Sequence, residues 1–278
     1  MANLAYTFTM MKASLDVLRK DKELLLFPLF SGLCCLIVAL SFAIPAFHSD
    51  FLRSPSAGEN TSAQIARFVL LFAFYYITYF IIIFFNSAIV AWAIFRMRGG
   101  DPGLATGFRA ALARLPQIAG WALIAASVGM LLRLLQKRSN RLGGIVIGLM
   151  GMAWSVLTFL VVPVLVVERK GPVDALRESA AMLKKTWGEQ LVGHFSFGII
   201  FFILALMGLV PLIIGFMAPV LALKVIMLSF AGIYILLLIL TQSALQAIFQ
   251  AAMYLYARDG RAPEGFDETA LASAIRPR

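Results

Sequence analysis

Six long stretches of this chain contain no charged residue, and they constrain its fold more than any other feature. They span residues 24–47, 68–95, 115–132, 142–167, 190–223 and 225–257. A helix needs about 20 apolar residues to cross the hydrocarbon core of a bilayer, with a usable range of about 17–25. Apolar residues make up 61% of the 278 positions and charged residues only 14%. The sequence therefore predicts an all-α, polytopic membrane protein with six transmembrane helices.

The chain also contains a unit that occurs three times. Each unit is a short basic amphipathic segment followed by two apolar runs, and it ends in a basic turn that contains glycine and proline, at residues 96–102, 169–172 and 258–263. A periodic sequence is typical of a periodic structure. We therefore expect a single integral membrane domain over residues 1–278, built of three helical hairpins, each preceded by a cytoplasmic amphipathic helix. The pseudo-repeats cover about 1–100, 101–171 and 172–263, and residues 264–278 form a short cytoplasmic tail.

Each unit opens with apolar residues at steps of three and four, which is the spacing of one helix face. The three predicted apolar faces are Leu4, Phe8, Met11, Leu15 and Leu18; Leu104, Phe108, Ala111, Leu112 and Leu115; and Val173, Leu176, Ala180, Leu183 and Trp187. The predicted contacts with lipid headgroups come from basic residues of the same segments: Lys12, Arg19, Lys20, Arg109, Arg114, Lys184 and Lys185. Alternatively, these helices form a docking surface for a partner protein, or serve only to brace the membrane helices.

Basic residues also predict the orientation of the protein in the membrane. Lys and Arg are more numerous in the connections that share a side with the N-terminus than in the others. The positive-inside rule therefore predicts that both termini are cytoplasmic. The connection over residues 133–141 disagrees, because Arg133, Lys137, Arg138 and Arg141 would all face outward.

Polar residues inside the apolar runs indicate where a binding site would lie. No Asp or Glu occurs within any run, which argues against a proton-coupled pump, since such pumps need a buried ionisable group. The candidate polar cavity consists of an array on the last run and two neighbours at similar depth: Gln242, Gln246, Gln250, Asn86 and His194. The alternative is interhelical hydrogen bonding, with each bond contributing about 0.6–2 kcal/mol.

The chain contains no pattern typical of catalysis or metal binding. It has no HExxH, G-x-S-x-G, phosphate-loop or dinucleotide motif, and neither His48 nor His194 has a cysteine or carboxylate at ligand spacing. The net charge of +10 comes from basic residues at the ends of apolar runs. We therefore expect no catalytic residue, metal or cofactor, and we expect membrane lipids with anionic headgroups, rather than nucleic acid, as partners.

Three segments resemble a known family. Residues 12–28, 166–176 and 253–267 look like the corresponding parts of an uncharacterised prokaryotic family of six-helix inner-membrane proteins. The middle segment is also distantly similar to the membrane domain attached to some glycerophosphodiester phosphodiesterases, in which the chemistry belongs to a separate soluble domain. The resemblance implies a helical fold in the bacterial inner (cytoplasmic) membrane, and it adds no site residue.

The sequence leaves two functions open. The leading hypothesis is a non-enzymatic structural or accessory membrane protein that organises lipid or a partner complex, with a homo-oligomer as a further alternative. The other hypothesis is a small-solute or lipid transporter or channel that uses the polar face of the last helix. Gln242, Gln246 and Gln250 packed dry against apolar neighbours would rule out the transporter, and a water-filled vestibule reaching Gln246 with Asn86 or His194 opposite would count against a purely structural role.

Overall fold

The structure is a computed structural model that describes residues 2–48, 61–187 and 197–266, and these residues contain helices and turns but no strand. The helices are α1 (Ala2–Lys20), α2 (Leu26–His48), α3 (Thr61–Met97), α4 (Leu104–Leu112), α5 (Leu115–Arg138), α6 (Arg141–Leu157), α7 (Val161–Glu168), α8 (Pro172–Trp187), α9 (Phe197–Met217) and α10 (Leu221–Asp259). A 3-10 turn at Lys22–Leu25 leads into α2.

Six described segments are long and apolar enough to cross a membrane. They are Lys22–Ile44, Thr61–Met97, Leu115–Arg138, Gly143–Glu168, Ile200–Met217 and Leu221–Asp259. The prediction of an all-α chain with six candidate membrane spans is therefore confirmed, and the chain has the character of a multi-pass membrane protein. The start of the fifth predicted run, including His194, lies outside the described residues.

The core lies at one end of the bundle, where α3 and α10 pack together. We call this the basal end; α2 begins there, and α3 and α10 end there. Almost every residue of α10 from Ala244 to Leu255 is buried, and Trp92 of α3 and Tyr254 of α10 are among the largest fully buried side chains. Toward the opposite, distal end, large apolar side chains are exposed along every span, as expected of surfaces that face lipid.

The short helices α1, α4 and α8 pack against the basal core through small residues. The buried pairs are Ala13 and Ser14 on α1, Gly107 and Ala111 on α4, and Ala175 and Ser179 on α8. A Cβ atom on Gly107 would lie 2.8 Å from the carbonyl oxygen of Ala88, so only glycine permits this approach of α4 to α3. Small side chains allow helix backbones to come close in this way.

The predicted apolar faces of these helices differ in part from the faces that are buried. Leu18 and Leu183 are buried as expected, but Phe8, Leu112 and Val173 are 59%, 52% and 51% exposed. The protein contact therefore combines small residues with some of the large apolar ones, while Phe8, Leu112 and Val173 lie outside it. The position of these helices at a membrane surface stays a prediction.

The three turns that close the repeat units share a backbone feature. Gly99, Arg169 and Gly260 each follow the last turn of a helix in the left-handed conformation, with φ of 83°, 59° and 67°. A left-handed residue is a common way to end a helix, and glycine adopts it without a steric penalty. Within the described residues α2 packs against α3 and α9 against α10. The threefold hairpin arrangement, the repeat boundaries and the orientation stay predictions.

Candidate functional site

The fourth membrane span is interrupted near its basal end. Helix α6 ends at Leu157 and α7 begins at Val161, and the regular series of helical backbone hydrogen bonds is interrupted between them. Pro163 explains the break, because proline has no N–H to donate to the carbonyl four residues earlier, and its ring crowds that carbonyl. The carbonyl concerned is that of Phe159. Proline is also present in α2 and α9, and both helices continue through it.

A side chain of α10 occupies the position that Pro163 leaves open. Gln250 donates a hydrogen bond from Nε2 to the carbonyl oxygen of Phe159, and its Oε1 accepts a hydrogen bond of 3.3 Å from Asn86 on α3. Gln250 is only 8% exposed. Its amide therefore links α3, α10 and the broken span. It also gives the Phe159 carbonyl a hydrogen-bond donor, which lipid acyl chains cannot provide.

Ser179 of α8 satisfies the remaining backbone groups of the break. Its hydroxyl accepts a hydrogen bond of 3.1 Å from the amide of Leu160 and donates one of 2.7 Å to the carbonyl of Leu157. Both groups would be paired within the helix if α6 and α7 were continuous. Sequence reasoning missed Ser179, because the only available signal was a proline in a membrane span, which does not indicate its distant partner.

A cavity of about 240 Å³ lies beside the break, between α2, α3 and α10. Its polar lining consists of Ser31, Asn86, Ser243, Gln246 and Gln250. Three of the predicted site residues, Asn86, Gln246 and Gln250, are therefore brought together. Gln242 is half-buried and does not line this cavity, and His194 lies outside the described residues.

The cavity is closed toward the basal end and open on the other side. Its basal wall contains Pro28, Ile89 and Gln250, which are buried. Ile82 and Ser243, on the distal side of the lining, are exposed, and so is Gln246. None of the described residues that line the cavity is charged, and we therefore expect it to admit uncharged groups from the side of the bilayer.

An ion-pair cluster joins the basal ends of α2 and α3. Asp21, just before α2, pairs with Arg96 near the end of α3, and Arg96 also lies 2.9 Å from Asp101. The guanidinium of Arg96 lies over the ring of Trp92, 5.3 Å from its centroid. Sequence reasoning missed this cluster, because its charges lie in connections that looked like ordinary basic ends of membrane spans.

A second polar cluster joins α7, α8 and α10. Lys170 bridges Glu168 at 2.9 Å and Glu178 at 3.0 Å. Tyr254 donates a hydrogen bond of 3.1 Å to Glu168, and Arg258 donates one of 2.9 Å to the Tyr254 hydroxyl. The hydrogen bonds to Glu168 and Glu178 raise the pKa of Lys170 above its ordinary value. This cluster fixes the start of α8 to the core.

The predicted lipid contacts have different surroundings. Six of the seven are exposed: Lys12, Arg19, Lys20, Arg109, Lys184 and Lys185. Arg114 is partly buried, and its Nε donates a hydrogen bond of 3.3 Å to the carbonyl oxygen of Val166. Burial, and to a lesser extent the nearby charge of Arg169, lower the pKa of Arg114. Its side chain is thus partly engaged in holding α7, while the other six remain accessible.

A larger cavity of about 700 Å³ lies at the basal surface, between α1, the end of α3 and the turn at residues 264–265. Its charged lining residues are Asp16, Lys20, Arg96 and Glu264, two of each sign. The balance of charge gives this cavity no preference for an anion. Among the described residues, no group of three or more His, Cys, Asp or Glu side chains could hold a metal ion.

Comparison with known proteins gives one match. The sequence model of a family of unknown function (DUF6159) matches residues 65–266, and the chain therefore belongs to that family. No curated protein and no solved structure matches the chain. The expected kinship with an uncharacterised family of membrane proteins is thereby supported, whereas the distant similarity to the membrane domain attached to glycerophosphodiester phosphodiesterases stays a prediction.

Proposed function

We propose that this member of a family of unknown function is a non-enzymatic accessory protein of the bacterial inner membrane, with both termini cytoplasmic, and that it organises anionic lipid at its basal surface. The observation that carries the proposal is the arrangement of α1, α4 and α8. Each helix uses small residues to pack against the core, and together they leave six basic side chains accessible at the basal end.

The charge of α8 supports this proposal in most detail. Arg177 lies 3.6 Å from Asp174, and Lys170 is held between Glu168 and Glu178. By contrast, Lys184 has no ion pair among the described residues. A basic residue near an anionic surface contributes about 1 kcal/mol of attraction. The Lys184 side chain at the end of α8 is therefore available to bind a phosphate-bearing lipid headgroup.

The cavity reaches Gln246 with Asn86 opposite, as the transport hypothesis expects, but two other observations on α10 support a structural role. Gln250 is fully engaged with Asn86 and the Phe159 carbonyl, and buried residues from Ala247 to Leu255 separate the cavity from the basal end. A transporter would need an open route through this core in at least one state.

The test compares two single-charge removals on the same helix. The full chain is reconstituted in nanodiscs of phosphatidylcholine with phosphatidylglycerol, and the number of phosphatidylglycerol molecules retained is measured by native mass spectrometry. We expect Lys184→Gln to weaken retention about fivefold, the equivalent of about 1 kcal/mol. The matched control, Arg177→Gln, removes a charge that is already paired and should change retention by less than twofold. Equal effects of the two variants, or equal retention of phosphatidylcholine, would contradict the proposal.

A further inference from the structure

Of the three amide side chains that line the cavity beside the break, that of Gln246 is the one without a hydrogen bond to a described residue. It is exposed, and it makes no hydrogen bond with any described residue, whereas Gln250, one turn away, makes two. An amide in hydrocarbon without a partner costs several kcal/mol. The position therefore requires an occupant that donates or accepts hydrogen bonds.

The depth of the cavity indicates where that occupant comes from. Ser31, in its lining, lies about 13 Å along the chain from the charged Lys22, at about 1.5 Å per residue. Half the hydrocarbon thickness of a bilayer is about 15 Å. If Lys22 marks the basal interface, the cavity lies within the basal leaflet, below the level of charged headgroups. Water has no direct path from the basal end, because Ile89 and Gln250 are buried there.

The chemistry of the lining selects the class of ligand. Asn86, Gln246 and the two serines offer amide and hydroxyl groups, and no lining residue carries a charge. A phosphate or an amine would lose its hydration in this cavity without gaining an ion pair, at a cost of several kcal/mol. A hydroxyl or an ester carbonyl would instead find both donors and acceptors. The exposed Ile82 at the rim is a suitable contact for an acyl chain.

We propose that this cavity binds the uncharged, hydroxyl- and ester-bearing head of a membrane-dissolved glycerolipid, such as diacylglycerol, through Gln246 and Asn86. The acyl chains stay in the basal leaflet, and the glycerol oxygens replace the missing partners of the Gln246 amide. This site goes beyond the proposed function, because it recognises a lipid without charge at a place distant from the basic surface of α8.

The experiment uses photoactivatable diacylglycerol in nanodiscs that contain only phosphatidylcholine as bulk lipid. After irradiation of the full-length protein, labelled residues are mapped by mass spectrometry. We expect labelling to concentrate on residues 28–31, 82–89 and 243–250, and unlabelled diacylglycerol to compete. Labelling spread evenly over the exposed apolar surface of α9 would overturn the proposal. Competition by aqueous glycerol but not by diacylglycerol would also overturn it, since it would indicate a solute site open to water.

Two variants of α10 provide the matched comparison. Gln246→Leu should reduce the labelling about fivefold, as expected for the loss of about one net hydrogen bond, and it should fold normally because the side chain has no partner to lose. Gln242→Leu removes an amide one turn away that does not line the cavity, and it should change labelling by less than twofold. Equal labelling of both variants would refute the role of Gln246. Lys184→Gln should leave labelling unchanged, so this test and that of the proposed function can fail separately.

Discussion

Replacing Gln250 by leucine tests the account of the broken span. The change keeps a similar side-chain volume but removes the donor to the Phe159 carbonyl and the acceptor for Asn86. Interhelical hydrogen bonds in membranes average about 0.6 kcal/mol and reach about 1.7 kcal/mol. The bond to Phe159 should lie near the upper value, because Pro163 has no N–H to donate to that carbonyl. We therefore expect Gln250→Leu to lower the free energy of unfolding by about 2 kcal/mol.

The assay is reversible unfolding in mixed micelles of dodecyl maltoside and SDS, followed by far-UV circular dichroism. Gln246→Leu is the matched control, since it is the same substitution one turn away on the same helix. Its side chain is exposed and makes no hydrogen bond with the described residues, so this substitution should not lower the free energy of unfolding by more than about 0.5 kcal/mol. Equal losses for the two variants would refute the special role of Gln250.

A double-mutant cycle identifies the carbonyl that Gln250 satisfies. Pro163→Ala restores a backbone N–H that can reach the Phe159 carbonyl once the span relaxes into a continuous helix. In that background Gln250→Leu should cost at least about 1 kcal/mol less than in the natural chain, because the carbonyl has a second donor. Independent sites add within about 0.3–0.5 kcal/mol. If the effects of Pro163→Ala and Gln250→Leu add within that range, the loss of unfolding free energy in Gln250→Leu does not come from the hydrogen bond to the Phe159 carbonyl.

Two further predictions concern the basal core. Gly107→Ala should destabilise the protein by about 1–3 kcal/mol, because its Cβ would lie 2.8 Å from the Ala88 carbonyl oxygen. The control Gly148→Ala, whose Cβ would have nothing within 4 Å, should be neutral or slightly stabilising in the same unfolding assay. Equal losses for the two variants would contradict the close packing of α4 against α3. The pKa of Lys170 is raised from 10.5 by its two glutamate partners, so its stabilising contribution is complete below about pH 10 and is lost as the pH rises through the folded-state pKa. Lys170→Met should abolish this loss of unfolding free energy at alkaline pH, and Lys184→Met should not. Identical dependence of the unfolding free energy on pH in the two variants would refute the contribution of Lys170.

The sequence by itself determined the elements that cross the membrane. Uninterrupted apolar length is a local property, and the structure places a candidate span in each of the six charge-free runs. Proline alone did not locate the interruption of the fourth run, because α2 and α9 continue through their prolines while the span with Pro163 is broken. The left-handed caps at Gly99 and Gly260 agree with glycine in the repeated turns, which is a local property.

Only the tertiary structure decided which faces of these helices meet protein. Hydropathy separates residues that avoid water from those that do not, but in a bilayer a large apolar side chain is as well accommodated by lipid as by protein. The predicted apolar faces of α1 and α8 therefore included Phe8 and Val173, which are exposed, and omitted Ala13 and Ser179, which are buried.

The same limit applies to the candidate site. The spacing of Gln246 and Gln250 placed both on one face of α10, where the sequence gives them equal roles. The fold gives them different surroundings, because the Phe159 carbonyl lies within reach of Gln250, while Gln246 lines a cavity between α2, α3 and α10. A hydrogen bond between residues distant in the chain depends on the packing of whole helices. Thus the local sequence specified the polar groups, and only the packed bundle determined that Gln250 is hydrogen-bonded and that Gln246 lines a cavity.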